Sequence, residues 1–178
     1  MKFDIARQPL VPAFMTLFAL AVAAMCAGIP VPDTSGAVRE ALPLLGGQLA
    51  RFQAAYPVWS KFAAGFMLLF AGMCTGRISI RYNLYTVGTC LPIPLYAIVA
   101  CGIATGGNYL AGFAASMLLA LATKNYCRAF CNGYGFDAIF RASLYLGLMP
   151  LVYAPALPLL LLLPLALSLI HISEPTRP

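Results

Sequence analysis

Apolar residues run along this chain in long uncharged blocks, and the charged residues fall between the blocks rather than inside them. A helix crossing about 30 Å of hydrocarbon needs roughly 20 such residues. Read on that scale, the pattern predicts spans at about 10–29, 59–76, 84–105, 108–123, 138–153 and 155–166, the last incomplete. The expected fold is all-α, a polytopic transmembrane helical bundle of about six helices that is truncated at the C-terminus, because backbone in lipid must satisfy its own hydrogen bonds.

The longest interval between blocks, 30–58, has a period of its own. Val38, Leu42, Leu45, Leu49, Phe52 and Tyr56 recur at alternating spacings of four and three, which is one helical stripe, while Arg39, Gln48, Arg51 and Gln53 lie off it. Pro43 and the pair Gly46-Gly47 are expected to divide this segment into two short helices. An amphipathic segment between two spans, followed by Trp59, reads as lying along the outer membrane surface or as a helical hairpin capping the bundle.

Composition narrows the classes. The chain is 62% hydrophobic and 9% charged, against about 25% charged in a soluble domain, so too few polar side chains exist to cover a water-soluble surface. The net charge of +6 does not point to nucleic acid, since the basic residues stand singly between apolar runs instead of clustering on a soluble face. They read as topology signals. An N-terminus in the cytoplasm places Lys2, Arg7, Arg77, Arg81, Lys124, Arg128 and Arg141 inside and leaves Arg39, Arg51 and Lys61 outside, a bias of seven to three that inversion would reverse. The uncharged stretch from Gln8 to Pro32 exceeds a signal-peptide core of roughly 7 to 15 residues, so the first block is expected to be retained as a helix.

Candidate chemistry is sparse. Most of the six cysteines (Cys26, Cys74, Cys90, Cys101, Cys127 and Cys131) lie in apolar blocks, where a thiol behaves as a small hydrophobe, and they imply no disulfide framework. Cys127 and Cys131 share a helix face, but two thiols without further ligands do not hold zinc; no metal and no cofactor is expected. Asp33 and Glu40 follow the first block in the outer loop. That position resembles the place where membrane glycosyltransferases with lipid-phosphate sugar donors carry a catalytic acid, which makes both residues catalytic candidates; capping of the next helix is the simpler reading for Asp33. On the cytoplasmic side, Arg77, Arg81, Lys124, Arg128 and Arg141 are candidates for binding an anionic lipid head group or lipid-linked phosphate. The alternative is that they only set topology and snorkel to the interface. Asp137 and Arg141, four apart, are expected to pair locally.

Spacings of four between small residues, at Gly72 and Gly76, Gly102 and Gly106, and Gly112 and Ser116, mark places where helices can associate closely in lipid. Pro92 and Pro94 fall inside the third block, where a kink or break is expected.

Two resemblances bear on the C-terminal third. Leu167 to Arg177 reads Leu-Ser-Leu-Ile-His-Ile-Ser-Glu-Pro-Thr-Arg, which resembles a translated transposase sequencing adapter. This implies that 167–178 is a non-native tail, that His171 and Glu174 carry no function, and that the native chain continues beyond Ala166. Long-read sequencing of the gene is expected to show the frame leaving the adapter pattern near Leu167; genomic DNA encoding His171 to Pro178 would return the only histidine as a candidate site. Separately, Asn132 to Leu165, with Gly-Phe-Asp-Ala-Ile-Phe-Arg-Ala-Ser-Leu-Tyr-Leu-Gly and the turn at Tyr153-Ala-Pro155, resembles part of an uncharacterised family of Bacteroidota polytopic inner-membrane proteins. The resemblance implies a bacterial inner-membrane location and carries over no activity. A role in cell-envelope lipid or polysaccharide metabolism, a glycosyltransferase-like enzyme, a transporter fragment and a membrane scaffold subunit all stay open. The near absence of ionisable residues within the spans counts against ion-driven transport.

Overall fold

Helices account for nearly all of the described backbone in the computed structural model, which covers residues 10–26, 44–82, 90–103, 109–132, 135–164 and 168. Among these residues the chain is all-α. It forms α1 (Leu10–Cys26), α2 (Leu44–Ala55), α3 (Pro57–Arg81), α4 (Pro92–Ile103), α5 (Tyr109–Asn132) and α6 (Gly135–Val152), followed by a 3-10 helix, Ala154–Leu161.

The central helix is α3. Pro57 occupies its first turn, where a missing N–H costs nothing, and the helix then runs 25 residues, about 37 Å at 1.5 Å per residue. It is the one described helix that is both long and apolar enough to cross a membrane, whereas the apolar stretches Leu10–Ala23 and Ala154–Pro164 are shorter. Ser60, Ala64, Leu68, Gly72, Gly76 and Ser79 form its buried face; Trp59, Phe62, Phe66, Phe70 and Met73 point outward. In α1 the buried stripe is Ala13, Leu17 and Ala21, all fully shielded, with Phe14 and Phe18 outside. The same holds in α6, where Ala138, Ala142, Leu146 and Met149 are buried and Phe140 and Leu144 exposed. In these helices the aromatic side chains face mostly outward, and alanine and glycine make up much of the buried face around a few leucines.

Packing follows from that choice of side chains. Helix α1 lies against α3 and α4, α3 against α4 and α5, and α5 against α6, with α2 resting on α3, α5 and α6. A Cβ on Gly72 would stand 2.8 and 2.9 Å from the methyl carbons of Leu17, and one on Gly76 would collide with Ile93 of α4. These two glycines therefore let three helices approach within one chain. Gly112 has nothing within 4 Å of its Cβ position, so that glycine admits no close neighbour. Gly106 lies outside the described residues, and Gly102 sits within α4, its surroundings undescribed.

Several boundaries differ from the sequence reading for identifiable reasons. Of the third block, the structure describes the part from Cys90 onward, and α4 begins at Pro92. Pro92 and Pro94 both fall in its first turn, where no backbone acceptor loses a partner, so they start a helix instead of kinking one. Helix α5 does not stop at Thr123 but carries Lys124 and Arg128 onward to Asn132, since nothing between them breaks a helix. Beyond α6, Pro155 and Pro158 remove donors from consecutive turns and the chain winds as a 3-10 helix in place of the start of a sixth α-helical span. In α2, Gly46 and Gly47 stay inside one helix, and Gly46, Ala50 and Gln53 are its buried residues. Leu45, Phe52 and Tyr56, from the expected stripe, face outward instead, while Val38 and Leu42 lie outside the described residues.

Candidate functional site

Helix directions bring the beginnings of α1 and α4 to the same end of the bundle as the later turns of α3 and α5. Ser60 and Tyr109, at the starts of α3 and α5, share a hydrogen bond of 2.6 Å, and Arg77 and Lys124, in their later turns, line one cleft, so these two helices run parallel. Ile93 over Gly76 with Tyr96 near Gly72 sets α4 antiparallel to α3, and Leu17 over Gly72 with Leu10 beside Arg77 and Arg81 sets α1 antiparallel to it too. Between these ends opens a cleft of about 690 Å³, reached by Leu10 of α1, Ile93 of α4, Arg77 and Arg81 of α3, and Lys124 of α5.

The cleft combines charge with an apolar wall. Arg77 and Arg81 stand one helical turn apart, so both guanidinium stems leave the same side of α3, and Lys124 closes the cleft from the neighbouring helix. Among the described residues no acidic side chain lines it. Phe70, Met73, Ile78 and Ile80 supply the wall, with Cys74 and Tyr82 between them. Charges of one sign gathered against low-dielectric walls focus an attractive field on an anion. Apolar walls beside them favour an anion that carries a hydrocarbon part.

Of the five cations singled out from sequence, the structure thus gathers Arg77, Arg81 and Lys124. Arg128 lies on α5 one turn beyond Lys124, exposed and not among the residues lining the cleft. Arg141 is committed elsewhere: its Nε donates to Asp137 Oδ1 at 3.0 Å, the expected local pair. Both partners are more than half exposed, so Asp137→Asn should change unfolding free energy by less than about 0.5 kcal/mol, read from denaturant titration in micelles. Asp33 and Glu40 lie outside the described residues, as does His171. Among the described residues no three His, Cys, Asp or Glu side chains converge on a metal position.

At the opposite end sits a buried polar cluster that sequence reasoning passed over. Gln53 is 2% exposed and its Oε1 accepts a hydrogen bond of 3.4 Å from the backbone N–H of Leu110, in the first turn of α5. Ser60, fully buried, donates to Pro57 O at 2.8 Å and meets the Tyr109 hydroxyl. Lower in the bundle Tyr96 OH and Ser116 Oγ, 3.0 Å apart, join α4 to α5, and Ser116 also reaches Phe113 O. These contacts tie helix to helix and present no free group to a substrate. The signal available in sequence was position: Gln53 and Ser60 are polar residues flanking an apolar helix start.

No protein-family model, curated protein or solved structure matches this chain.

Proposed function

We propose that this chain is an integral, polytopic helical protein of a bacterial inner membrane, with its N-terminus in the cytoplasm and its basic cleft turned to anionic lipid head groups there. The observation that carries the proposal is the inverted distribution of side chains. More than half of the buried hydrophobic residues are alanine, while Trp59, Phe62, Phe66 and Phe136 are over half exposed. Water would make that arrangement costly, because soluble monomers rarely leave contiguous apolar patches beyond a few hundred Å². In lipid it is favourable, since small residues let backbones approach and large apolar ones meet acyl chains.

Orientation rests on charge. Arg77, Arg81, Lys124 and Arg128 gather toward one end of parallel α3 and α5, and that end belongs in the cytoplasm by the bias of basic residues to that side. Trp59 and Tyr56, exposed at the other end of α3, suit the opposite interface. A protein built this way, with a lipid-facing cationic cleft, fits a role in cell-envelope lipid or polysaccharide metabolism.

Single cysteines on a cysteine-free background test the topology. At Gln48, exposed on α2, a membrane-impermeant maleimide should label intact cells; at Arg128, labelling should need permeabilisation. Reversed labelling would invert the orientation. Recovery of the protein in the soluble fraction without detergent would end the membrane reading.

A further inference from the structure

The cleft between α1, α3, α4 and α5 offers more charge than an ordinary membrane phospholipid can meet. Arg77, Arg81 and Lys124 line it together, and among the described residues no acid joins them: Asp137 is the single described carboxylate, and Arg141 holds it. A phosphodiester head group brings one negative charge. A phosphomonoester brings about 1.5 to 2 at neutral pH, with three acceptor oxygens that suit guanidinium donors.

The wall selects for what is attached to that phosphate. Leu10, Phe70, Met73 and Ile80 line the cleft and are also exposed on the bundle surface, Leu10 by half of its area and the others by 38, 39 and 44%. An acyl or isoprenoid chain entering beside them would stay in contact with lipid while its phosphate reached the cations. Among the described residues the lining offers a nucleotide base few partners, since besides the three cations its polar side chains are those of Tyr82 and Cys74.

We infer that this cleft is a binding site for a lipid whose head group is a terminal phosphate or diphosphate, held by Arg77, Arg81 and Lys124, in preference to phosphodiester lipids. The inference rests on the membrane reading above and deepens its head-group site. Arg77 and Arg81, one turn apart, would grip the phosphate oxygens from one side and Lys124 from the other, so the charge is spread over two helices. Because all three side chains are exposed, replacing them does not open the core.

The test is retention of lipid by the purified chain in native mass spectrometry, with competition between phosphatidic acid and phosphatidylglycerol of the same acyl chains. Phosphatidic acid should be retained roughly tenfold better, and Arg77→Gln, Arg81→Gln and Lys124→Gln should each weaken it about fivefold, the effect of about 1 kcal/mol per cation. Arg51→Gln on α2, away from the cleft, should leave retention unchanged. Equal retention of both lipids, with both weakened by the three substitutions, would overturn the phosphomonoester preference and leave the anionic-lipid site standing. Retention insensitive to all three would overturn both. Displacement of phosphatidic acid by inorganic pyrophosphate at the same concentration would overturn the lipid as the source, since the hydrocarbon part would then add nothing.

Discussion

Gly76→Leu is expected to lower the unfolding free energy by about 3 kcal/mol, the upper end of what overpacking a close contact costs. Gly76 is buried on α3, and even a single added carbon there would collide with Cγ1 and Cδ1 of Ile93. Ile93 has little freedom to yield. It is 1% exposed, its β-branched side chain is stiff at χ1, and it lies between Pro92 and Pro94 in the first turn of α4, where two fixed φ angles hold the backbone. Either α4 moves away from α3 or the isoleucine is driven into the cleft it helps line. Both outcomes connect packing to the site.

Two comparisons make the expectation sharp. At Gly72 the opposing atoms are the methyl ends of Leu17, 2.8 and 2.9 Å away, which a leucine can rotate aside, so Gly72→Ala should be milder than Gly76→Ala. At Gly112 nothing lies within 4 Å, and Gly112→Ala should be neutral or stabilising by up to ~1 kcal/mol through helix propensity. Ile93→Ala removes both clashing carbons, so Gly76→Ala should cost little in that background although each change alone destabilises. Unfolding by steric trapping in bicelles reads all of these. If Gly76→Leu and Gly112→Leu proved equally tolerated, the contact between α3 and α4 would not be the tight one described.

The sequence was most legible at the level of fold class. Long uncharged blocks pointed to an all-α chain, and the centres of α1, α3, α4, α5 and α6 fall in predicted blocks, that of α2 in the interval expected to hold amphipathic helix. Ends were less legible because charge was read as a stop: Arg77, Arg81, Lys124 and Arg128 all sit in helical turns, since long basic side chains can leave a helix without ending it. At the prolines of α4, where a kink or break was expected, the described helix begins. Their meaning depends on whether they start a helix or interrupt one, and hydropathy does not distinguish the two.

Faces were harder still. In α2 the apolar stripe suggested the packed side, but of its described members Leu49 alone packs inward; Leu45, Phe52 and Tyr56 turn outward, and Gly46, Ala50 and Gln53 are buried beside it. For the candidate site, charge type was readable and association was not. Arg77 and Arg81 could be paired from their spacing, whereas Lys124 joins them only through the parallel course of α3 and α5. Arg141 dropped out because Asp137 reaches it first.

Replacing Gln53 is the second change with a large expected effect, although it lies at the opposite end of the bundle from the cleft. The first N–H groups of a helix have no partner within it, and in a protein interior without water each must find one elsewhere. For the Leu110 N–H that partner is the Gln53 Oε1. Gln53→Leu keeps most of the volume but removes the acceptor, stranding a buried amide at a cost of about 1–3 kcal/mol. Gln53→Asn, one methylene shorter, should fare no better. Hydrogen exchange at Leu110 should then speed up by roughly 10- to 100-fold, the range that energy implies. Tyr109→Phe offers the contrast: Ser60 keeps its bond to Pro57 O, so that change should cost only about 0.6 kcal/mol, typical of hydrogen bonds between membrane helices. Unaltered exchange at Leu110 in Gln53→Leu would mean that the amide has another acceptor. In that case α2 would be held to the bundle by the packing of Gly46, Leu49 and Ala50.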